Sequence, residues 1–461
     1  MNTSEHVHFI GIGGYGMSAI AKVMLEMGFH VSGSDLAQQE LTEKLAKKGA
    51  DVFIGHEAKH VQGADLVVYS TALPKDNVEM KRAEELKIPL IHRSEMLARL
   101  LNTKKGVAVA GAHGKTTTSS MISLVLEECG ADPTYIIGGE IINLGSNAKA
   151  GKGDYVVAEA DESDGTFLQY HPYLGVVTNI EADHLEHYDG DFEKLKAAYA
   201  RFLSQVKPEG KAVVCADDPY IEAMLPALGA KAVTYGLNES ADYSAHDLVL
   251  GDRRVQFTVH HKGEILGTMK LSVPGKHNVY NALATLIVCL DAGLSFSQVA
   301  EAIVEFRGAK RRFQVMGEAH GILVIDDYAH HPTEIEATIS AAKATGKRIV
   351  AVFQPQRYTR TFFLLDQFSK AFPEADEVVL TDIYSPAGEQ QIEGISSARL
   401  AGLIRENSNP HVRHLPTKED VFDYLRSTVK SGDLVITMGA GDIWKVADRL
   451  AKDLRARFGE E

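Results

Sequence analysis

Val107-Ala-Val-Ala-Gly-Ala-His-Gly-Lys-Thr-Thr-Thr118 is the stretch on which the fold turns. An apolar run, Val107 to Ala110, meets a glycine loop. A helical pattern through Met121, Leu124 and Val125 then follows. Strand, glycine loop, Gly-Lys-Thr and helix are the parts of a phosphate-binding loop. Backbone N–H groups around Gly111, His113 and Gly114 would cradle the phosphates of ATP. Lys115 would neutralise the β- and γ-phosphates. Thr116 and Thr117 open the helix, and the Thr116 hydroxyl is placed to reach Mg²⁺. Val109 stands where the full pattern has its first glycine, so this is the shorter GxxGKT form.

Upstream, Gly11-Ile-Gly-Gly-Tyr-Gly16 follows a strand-like run, Val7–Ile12, and opens a helical pattern over 16–27. Asp35 ends the next strand, His30 onward. Glycines 11, 13, 14 and 16 with a downstream acid form the dinucleotide-binding pattern, with the diphosphate on the helix N-terminus. NAD is the default ligand of that pattern, and any nucleotide diphosphate satisfies its geometry. Helical patterns over 41–48 and 78–86 and a strand over Leu66–Tyr69 continue the alternation. Apolar strands alternating with helices predict a parallel sheet covered on both faces.

The chain's 461 residues predict about three domains. We expect an α/β protein with an N-terminal Rossmann-like domain over 1–103 and a central P-loop domain over 104–311. The central sheet should be mostly parallel, with a small antiparallel part near 247–273. A C-terminal Rossmann-like domain over 312–461 follows, with strands Ile322–Ile325, Arg348–Phe353, Glu377–Leu380 and Leu434–Thr437. The polar text at Asn102–Lys105 and the basic Lys310-Arg311-Arg312 mark the boundaries. A net charge of −14 argues against a nucleic-acid or membrane partner. Cys129, Cys215 and Cys289 are isolated and read as buried thiols. No signal peptide or membrane span is visible, so a cytoplasmic protein is expected.

Asp154–Glu159 reads as a strand ending in acid, followed by Asp161, Glu162 and Asp164. A carboxylate there suits Mg²⁺, whereas the later acids are equally well solvated loop groups. His184 follows Glu181 and Asp183 at the end of another strand; nitrogen is an unusual Mg²⁺ ligand, so composition alone leaves it outside the ligand set.

In this order, the motifs resemble the Mur ligase family. They are His8-Phe-Ile-Gly-Ile-Gly-Gly-Tyr-Gly-Met-Ser18, Val31-Ser-Gly-Ser-Asp35, Ala110–Thr118, Ala158-Glu-Ala-Asp-Glu-Ser-Asp164, Thr178-Asn-Ile-Glu-Ala-Asp-His184, Asp326-Asp-Tyr-Ala-His-His-Pro-Thr-Glu334 and Phe353-Gln-Pro-Gln-Arg-Tyr-Thr-Arg360. The resemblance implies ATP-dependent ligation of L-alanine to the carboxylate of UDP-N-acetylmuramate in peptidoglycan precursor synthesis. It implies that the first loop holds the UDP diphosphate, with Ser34 and Asp35 near the uridine. Glu159 and His184 then join Thr116 as metal ligands. His277 and Asn281 are placed at the adenine, and Arg312 and Asp327 at ATP. Tyr328 and His330 flank the alanine, His330 as a proton acceptor. Arg357 binds its carboxylate, and Arg360 either shares that task or is solvated. Hinge closure of the domains is expected, in a monomer or weak homodimer.

The sequence also departs from the family pattern. Gln356 stands where the family usually has His, and Ala329 where it has Gly. Several members carry a carbamoylated lysine where this chain has Tyr199, so no such bridge is expected. Lys310 and Arg311 read as a solvated basic patch, Lys194 and Lys196 as a solvated helix face, and His331 as a turn former before Pro332. Asn278 reads as a helix cap without the resemblance. Rival readings are a ligase adding a tripeptide to the same sugar nucleotide, an NAD-dependent oxidoreductase and a non-enzymatic nucleotide-binding protein. The oxidoreductase leaves Lys115, Glu159 and Arg357 without a task.

Overall fold

The computed structural model describes residues 3–74, 76–163, 165–251, 254–385 and 389–459, with Glu186 as backbone only. Asp164 of the acidic loop lies outside them. The first 102 residues give β1 (His6–Ile10), α1 (Tyr15–Glu26), β2 (His30–Asp35), α2 (Glu40–Lys47), β3 (Asp51–Ile54), β4 (Leu66–Tyr69), α3 (Val78–Glu85), β5 (Leu90–His92) and α4 (Arg93–Asn102). Their parallel sheet has the order β3-β2-β1-β4-β5. It is a doubly wound arrangement, which places ligands at the carboxyl ends of the strands. The first strand stops at Ile10 rather than Ile12, because Gly11 and Ile12 turn to donate to Ser34 O at 2.8 and 3.0 Å.

The middle of the chain gives β6 (Lys105–Ala110), α5 (Lys115–Glu128), β7 (Thr134–Ile141), β8 (Ser146–Lys149), β9 (Tyr155–Glu159), β10 (Leu174–Val177) and α6 (Phe192–Ser204). Next come β11 (Lys211–Cys215), α7 (Pro219–Glu222), α8 (Leu225–Leu228), β12 (Ala232–Gly236), β13 (Tyr243–Leu250), β14 (Val255–His261), β15 (Glu264–Leu271), α9 (His277–Asp291) and α10 (Phe296–Ile303). The ten strands run in the order β15-β14-β13-β12-β11-β10-β6-β9-β7-β8. Strands β6, β9, β10 and β11 are parallel and almost wholly buried, as a sheet with both faces covered requires.

The last third gives β16 (Gln314–Ala319), β17 (Ile322–Asp327), α11 (Pro332–Lys343), β18 (Arg348–Phe353), α12 (Tyr358–Phe363), α13 (Leu365–Lys370) and β19 (Glu377–Leu380). Then follow α14 (Ser397–Asn407), β20 (Val412–His414), α15 (Lys418–Thr428), β21 (Asp433–Met438) and α16 (Trp444–Phe458). Strand order is β16-β17-β21-β18-β19-β20, with β16 antiparallel to β17. Alternate residues feed two cores. Leu323, Ile325, Ile349, Ala351 and Phe353 pack on one face, and Val324, Val350, Val352 and Val435 on the other.

These α/β layers match the expected class. The chain clusters into two compact units. One is Met1–His246 with Thr258–Met269 and Tyr280–Phe306; the other is Asp247–Phe257 with Lys270–Val279 and Arg307–Glu461. Within the first unit the two sheets are tied together by α1. Lys22 Nζ donates to Ser146 Oγ and Ala148 O, both at 2.6 Å, and Glu26 accepts from Ala150 N at 2.9 Å. Cys215 and Cys289 are buried as expected, but Cys129 is half-buried at the end of α5 and lies 3.9 Å from Gln298 O. No described helix is long and apolar enough to cross a membrane.

Candidate active site

In the first unit, the glycine turn after β1 closes on the acid that ends β2. Asp35 Oδ2 accepts from Gly13 N at 2.9 Å, and Oδ1 from Gln39 Nε2 at 3.1 Å. A Cβ on Gly13 would lie 2.8 Å from that carboxylate, so a larger residue would displace Asp35 from the amide. Gly14 caps α1 without a side-chain bond, and Gly16 lies in its first turn. Amides at this helix start suit an anion. Ser34 is fully buried, and its hydroxyl donates to Glu79 Oε2 at 2.5 Å. Any influence it has on a ligand therefore passes through its neighbours.

The phosphate loop spans β6 and α5. Gly114 adopts φ +84 at the helix start, a left-handed conformation natural to glycine. Residues at the end of β10 brace the loop. Asn179 Oδ1 accepts from His113 N at 2.8 Å, and Thr178 Oγ1 donates to His113 O at 2.5 Å. His113 Nε2 lies 3.1 Å from Glu181. A Cβ on Gly111 would collide with Thr178 Oγ1 at 2.0 Å. Thr118 Oγ1 donates to Asn281 Oδ1 at 3.1 Å, so the expected adenine residue also packs against the loop. The signal for Asn179 in the sequence is its place just past an apolar strand, where it reaches the loop.

Lys115 Nζ lies 2.8 and 2.9 Å from the two carboxylate oxygens of Glu162 and donates to Gly111 O at 2.5 Å. Burial pulls the ammonium down, but Glu162 and Asp161 outweigh it and raise its pKa. Glu162 is 2% exposed, which corrects the solvated-loop alternative for this residue: burial pushes its carboxyl up, Lys115 opposes that, and the two pair at 2.8 Å. Asp161 is shared electrostatically by Lys115 and His184.

Glu159 ends β9 in register with Val109, so it stands beside the loop. Its Oε1 accepts from Gly138 N at 2.7 Å, and a Cβ on Gly138 would come within 2.9 Å of the carboxylate. His184 occupies a left-handed turn at φ +54, with Nε2 3.6 Å from Asp183 Oδ2. The hard oxygen donors Thr116 and Glu159, with acidic neighbours, are a chemistry that fits Mg²⁺. Lys194 is half-exposed and pairs with Asp189 at 2.5 Å, whereas Lys196 lies over the Phe192 and Tyr220 rings.

In the second unit the candidates gather at the end of β17. Asp327 accepts from Phe313 N and Ala329 N, both at 2.7 Å. Burial pushes its carboxyl up to about 6 despite the nearby Arg312. His277 keeps exposed surface, yet the protein packed around it and the Arg312 guanidinium push its imidazole down to about 4, so it is neutral near pH 7. Glu334 organises the cluster although the sequence reading gave it no role. Its carboxylate accepts from His330 N at 2.9 Å and lies 3.5 Å from Arg312 Nη1. It also caps His331 N at 3.3 Å, in keeping with a turn-forming His331. His330 Nδ1 lies 3.0 Å from Tyr328 O and 3.2 Å from Glu334. Both partners accept, so Nδ1 carries a proton, and in the neutral tautomer Nε2 is the basic nitrogen.

Arg311 and Arg312 both lie over the Tyr328 ring, at 4.9 and 5.2 Å. Arg311 corrects the solvated-patch expectation. Its Nε donates to buried Asp326 at 3.0 Å, and its Nη groups donate to Gly441 O at 3.0 Å and Gly439 O at 2.5 Å. Lys310 is exposed. Asn278 lies in the first turn of α9, and its Nδ2 donates to Pro274 O at 2.6 Å. Arg357 starts α12 with φ +67, an uncommon conformation for a non-glycine residue and one that clusters at functional sites. Its guanidinium is exposed, without a hydrogen bond among the described residues. Arg360 Nη1 donates to Gln356 Oε1 at 3.3 Å.

Three family models match the chain in succession: the Mur ligase family catalytic domain over residues 6–105, the Mur ligase middle domain over 109–289 and the Mur ligase glutamate ligase domain over 311–441. A curated UDP-N-acetylmuramate–L-alanine ligase from Symbiobacterium thermophilum is 48% identical over 464 residues, covering 99% of this chain and 96% of that protein. The crystal structure of a UDP-N-acetylmuramate-alanine ligase from Thermotoga maritima aligns with a TM-score of 0.81 at 31% identity, covering 98% of this chain and 99% of that one. That of a murein peptide ligase from Psychrobacter arcticus aligns at 0.70 and 25% identity, with the same coverage.

Proposed function

Since the chain belongs to the Mur ligase family, we propose that it joins L-alanine to the carboxylate of UDP-N-acetylmuramate with conversion of ATP to ADP and phosphate. The observation that carries this is the near-full-length similarity to the alanine-adding ligases. The lower identity to the murein peptide ligase makes the tripeptide the second reading.

A carboxylate does not react with an amine at neutral pH. Transfer of the γ-phosphoryl group to a carboxylate oxygen breaks the bond to ADP and gives an acyl phosphate. The alanine nitrogen then attacks the acyl carbon, and the tetrahedral intermediate expels phosphate. Catalysis of this kind is positioning and charge neutralisation, with no covalent enzyme nucleophile. Lys115 and the amides from Gly111 to Thr117 hold the ATP phosphates, and the Gly11–Gly16 turn holds the UDP diphosphate. Mg²⁺ held by Thr116, Glu159 and His184 would supply neutralising charge to those phosphates.

Neutral His277 can donate and accept at a purine edge, Asn281 packs against the loop, and the family resemblance assigns Arg312 and Asp327 to ATP. His330 Nε2 takes a proton from the alanine ammonium, which frees the attacking lone pair. Tyr328 flanks that amine, and Arg357 pairs with the alanine carboxylate in a bidentate bond, with Arg360 alongside. The domain limits proposed are 1–103, 104–311 and 312–461, in a cytoplasmic enzyme that is a monomer or weak homodimer.

Phosphate release measured with each amino acid, in the presence of UDP-N-acetylmuramate and Mg·ATP, tests the reading. L-Alanine should give the highest rate. Preference for a tripeptide, or no alanine-dependent release, overturns it.

A further inference from the structure

Glu334 does more than a helix start requires. It is the third residue of α11, two after Pro332, and its Oε2 accepts from His331 N at 3.3 Å as a capping-box acid does. The same oxygen also accepts from His330 N at 2.9 Å and lies 3.2 Å from His330 Nδ1. The other oxygen lies 3.5 Å from Arg312 Nη1. The Glu334 side chain is 10% exposed, so little water screens these contacts.

The His330 ring is held from several sides. Its Nδ1 faces two acceptors, Tyr328 O at 3.0 Å and Glu334. The Tyr328 ring meets it edge-on, with centroids 5.3 Å apart. Arg312 lies over that Tyr328 ring, so Glu334, Arg312, Tyr328 and His330 close a circle of side chains. Arg311 lies over the same ring, and Asp327 and His277 stand in the combined field of Arg312 and Glu334. Within this group Glu334 is the carboxylate that touches the imidazole. A proton taken up at Nε2 turns the ring into a cation, and Glu334 is placed to offset that charge.

We propose that Glu334 is a positioning residue for amine deprotonation: it holds His330 in the Nδ1–H tautomer and offsets the imidazolium that forms when Nε2 takes the proton of the alanine ammonium. The ammonium N–H bond breaks, its electron pair stays on the alanine nitrogen, and Nδ1 keeps its own proton throughout. The second oxygen of Glu334 ties this proton acceptor to Arg312, so one carboxylate serves both the amine and the residue assigned to ATP. The inference rests on the alanine-ligase reading above.

Glu334→Gln keeps an acceptor oxygen for the amides at the helix start and removes the charge. Alanine-dependent phosphate release followed against pH should show kcat falling roughly tenfold to 100-fold. The KM for alanine should change by less than about threefold. The acid limb of kcat should move down by roughly one pH unit, because the imidazolium has lost its counter-charge. Glu334→Asp, which retains the charge, should keep that limb near its wild-type position. Loss of a helix cap alone would lower the melting temperature and leave the limb in place. In the unliganded chain, NMR titration of the His330 ring should show the same downward shift in Glu334→Gln, and ring nitrogen shifts of wild type should show a protonated Nδ1 and a bare Nε2. The opposite tautomer in wild type overturns the proposal without any variant. An unmoved His330 titration in Glu334→Gln, or a loss confined to KM, overturns it as well. No alanine-dependent release from wild type overturns the ligase reading together with it, whereas normal release with an unmoved ring overturns this proposal alone.

Discussion

Lys115 and Glu162 form an ion pair at the phosphate loop, with both carboxylate oxygens within 2.9 Å of the ammonium. Polyphosphate and Glu162 thus compete for one cation. Glu162→Gln leaves a partly buried ammonium short of a counter-charge, which ATP can supply. The variant should melt at a lower temperature than wild type, and Mg·ATP should raise its melting point more, by on the order of 5 °C. Equal shifts in a thermal melt would refute the competition. Lys115→Ala should cut phosphate release roughly 100- to 1000-fold.

Glu79 makes the first unit acid-sensitive. Its carboxyl lies at about 2 in the folded chain against 4.5 ordinarily. A depressed folded value gives stability that is present above about pH 4.5 and is lost as pH falls toward 2. Glu79→Gln should cost roughly 3 kcal/mol at neutral pH, and the difference from wild type should shrink across that interval. Denaturant midpoints at pH 7, 4.5 and 3 measure this.

Asp327 and His277 push in opposite directions. Asp327 is raised to about 6, so its ionised form costs stability above that pH, and the cost disappears as pH falls toward 3.8. His277 is lowered to about 4, so acidification from 6.5 to 4 favours the unfolded chain, where its imidazole protonates freely. Stability of His277→Gln relative to wild type should rise as pH drops from 7 to 4. NMR titration of the His277 ring should show no protonation above pH 5.

Arg311→Ala should destabilise the second unit by about 3–5 kcal/mol, since it strands buried Asp326 and two carbonyl oxygens. Lys310→Ala, at an exposed position, should change the melting temperature by less than about 2 °C. Equal effects from both would contradict the clamp.

Elements that repeat a strong local pattern were legible in the sequence. Leu66–Tyr69, Arg348–Phe353 and Glu377–Leu380 are strands over the expected residues, because β-branched runs buried on both faces admit little else. Strands Asp51–Ile54 and Leu90–His92 were not recognised: short, with polar ends, they are made by pairing with neighbours. The loops declared themselves through glycine, lysine and threonine. Their braces did not. Glu79 sits in a charged helical text, Val-Glu-Met-Lys-Arg-Ala-Glu-Glu, whose pattern reads as solvent-facing. Arg311 sits in a basic triplet, and two of its partners lie about 130 residues downstream. Burial of charge depends on distant partners, which local text does not carry.

The Lys22 bridge from α1 to β8 fastens the layer bearing the first glycine turn to the sheet bearing the second. The two anion cradles therefore share one compact unit, joined by that bridge. Cutting the tether with Lys22→Ala should leave each cradle able to grip its own phosphate and blur only the registration between them. The penalty should then surface in turnover with both nucleotides present, not in the affinity for either one alone.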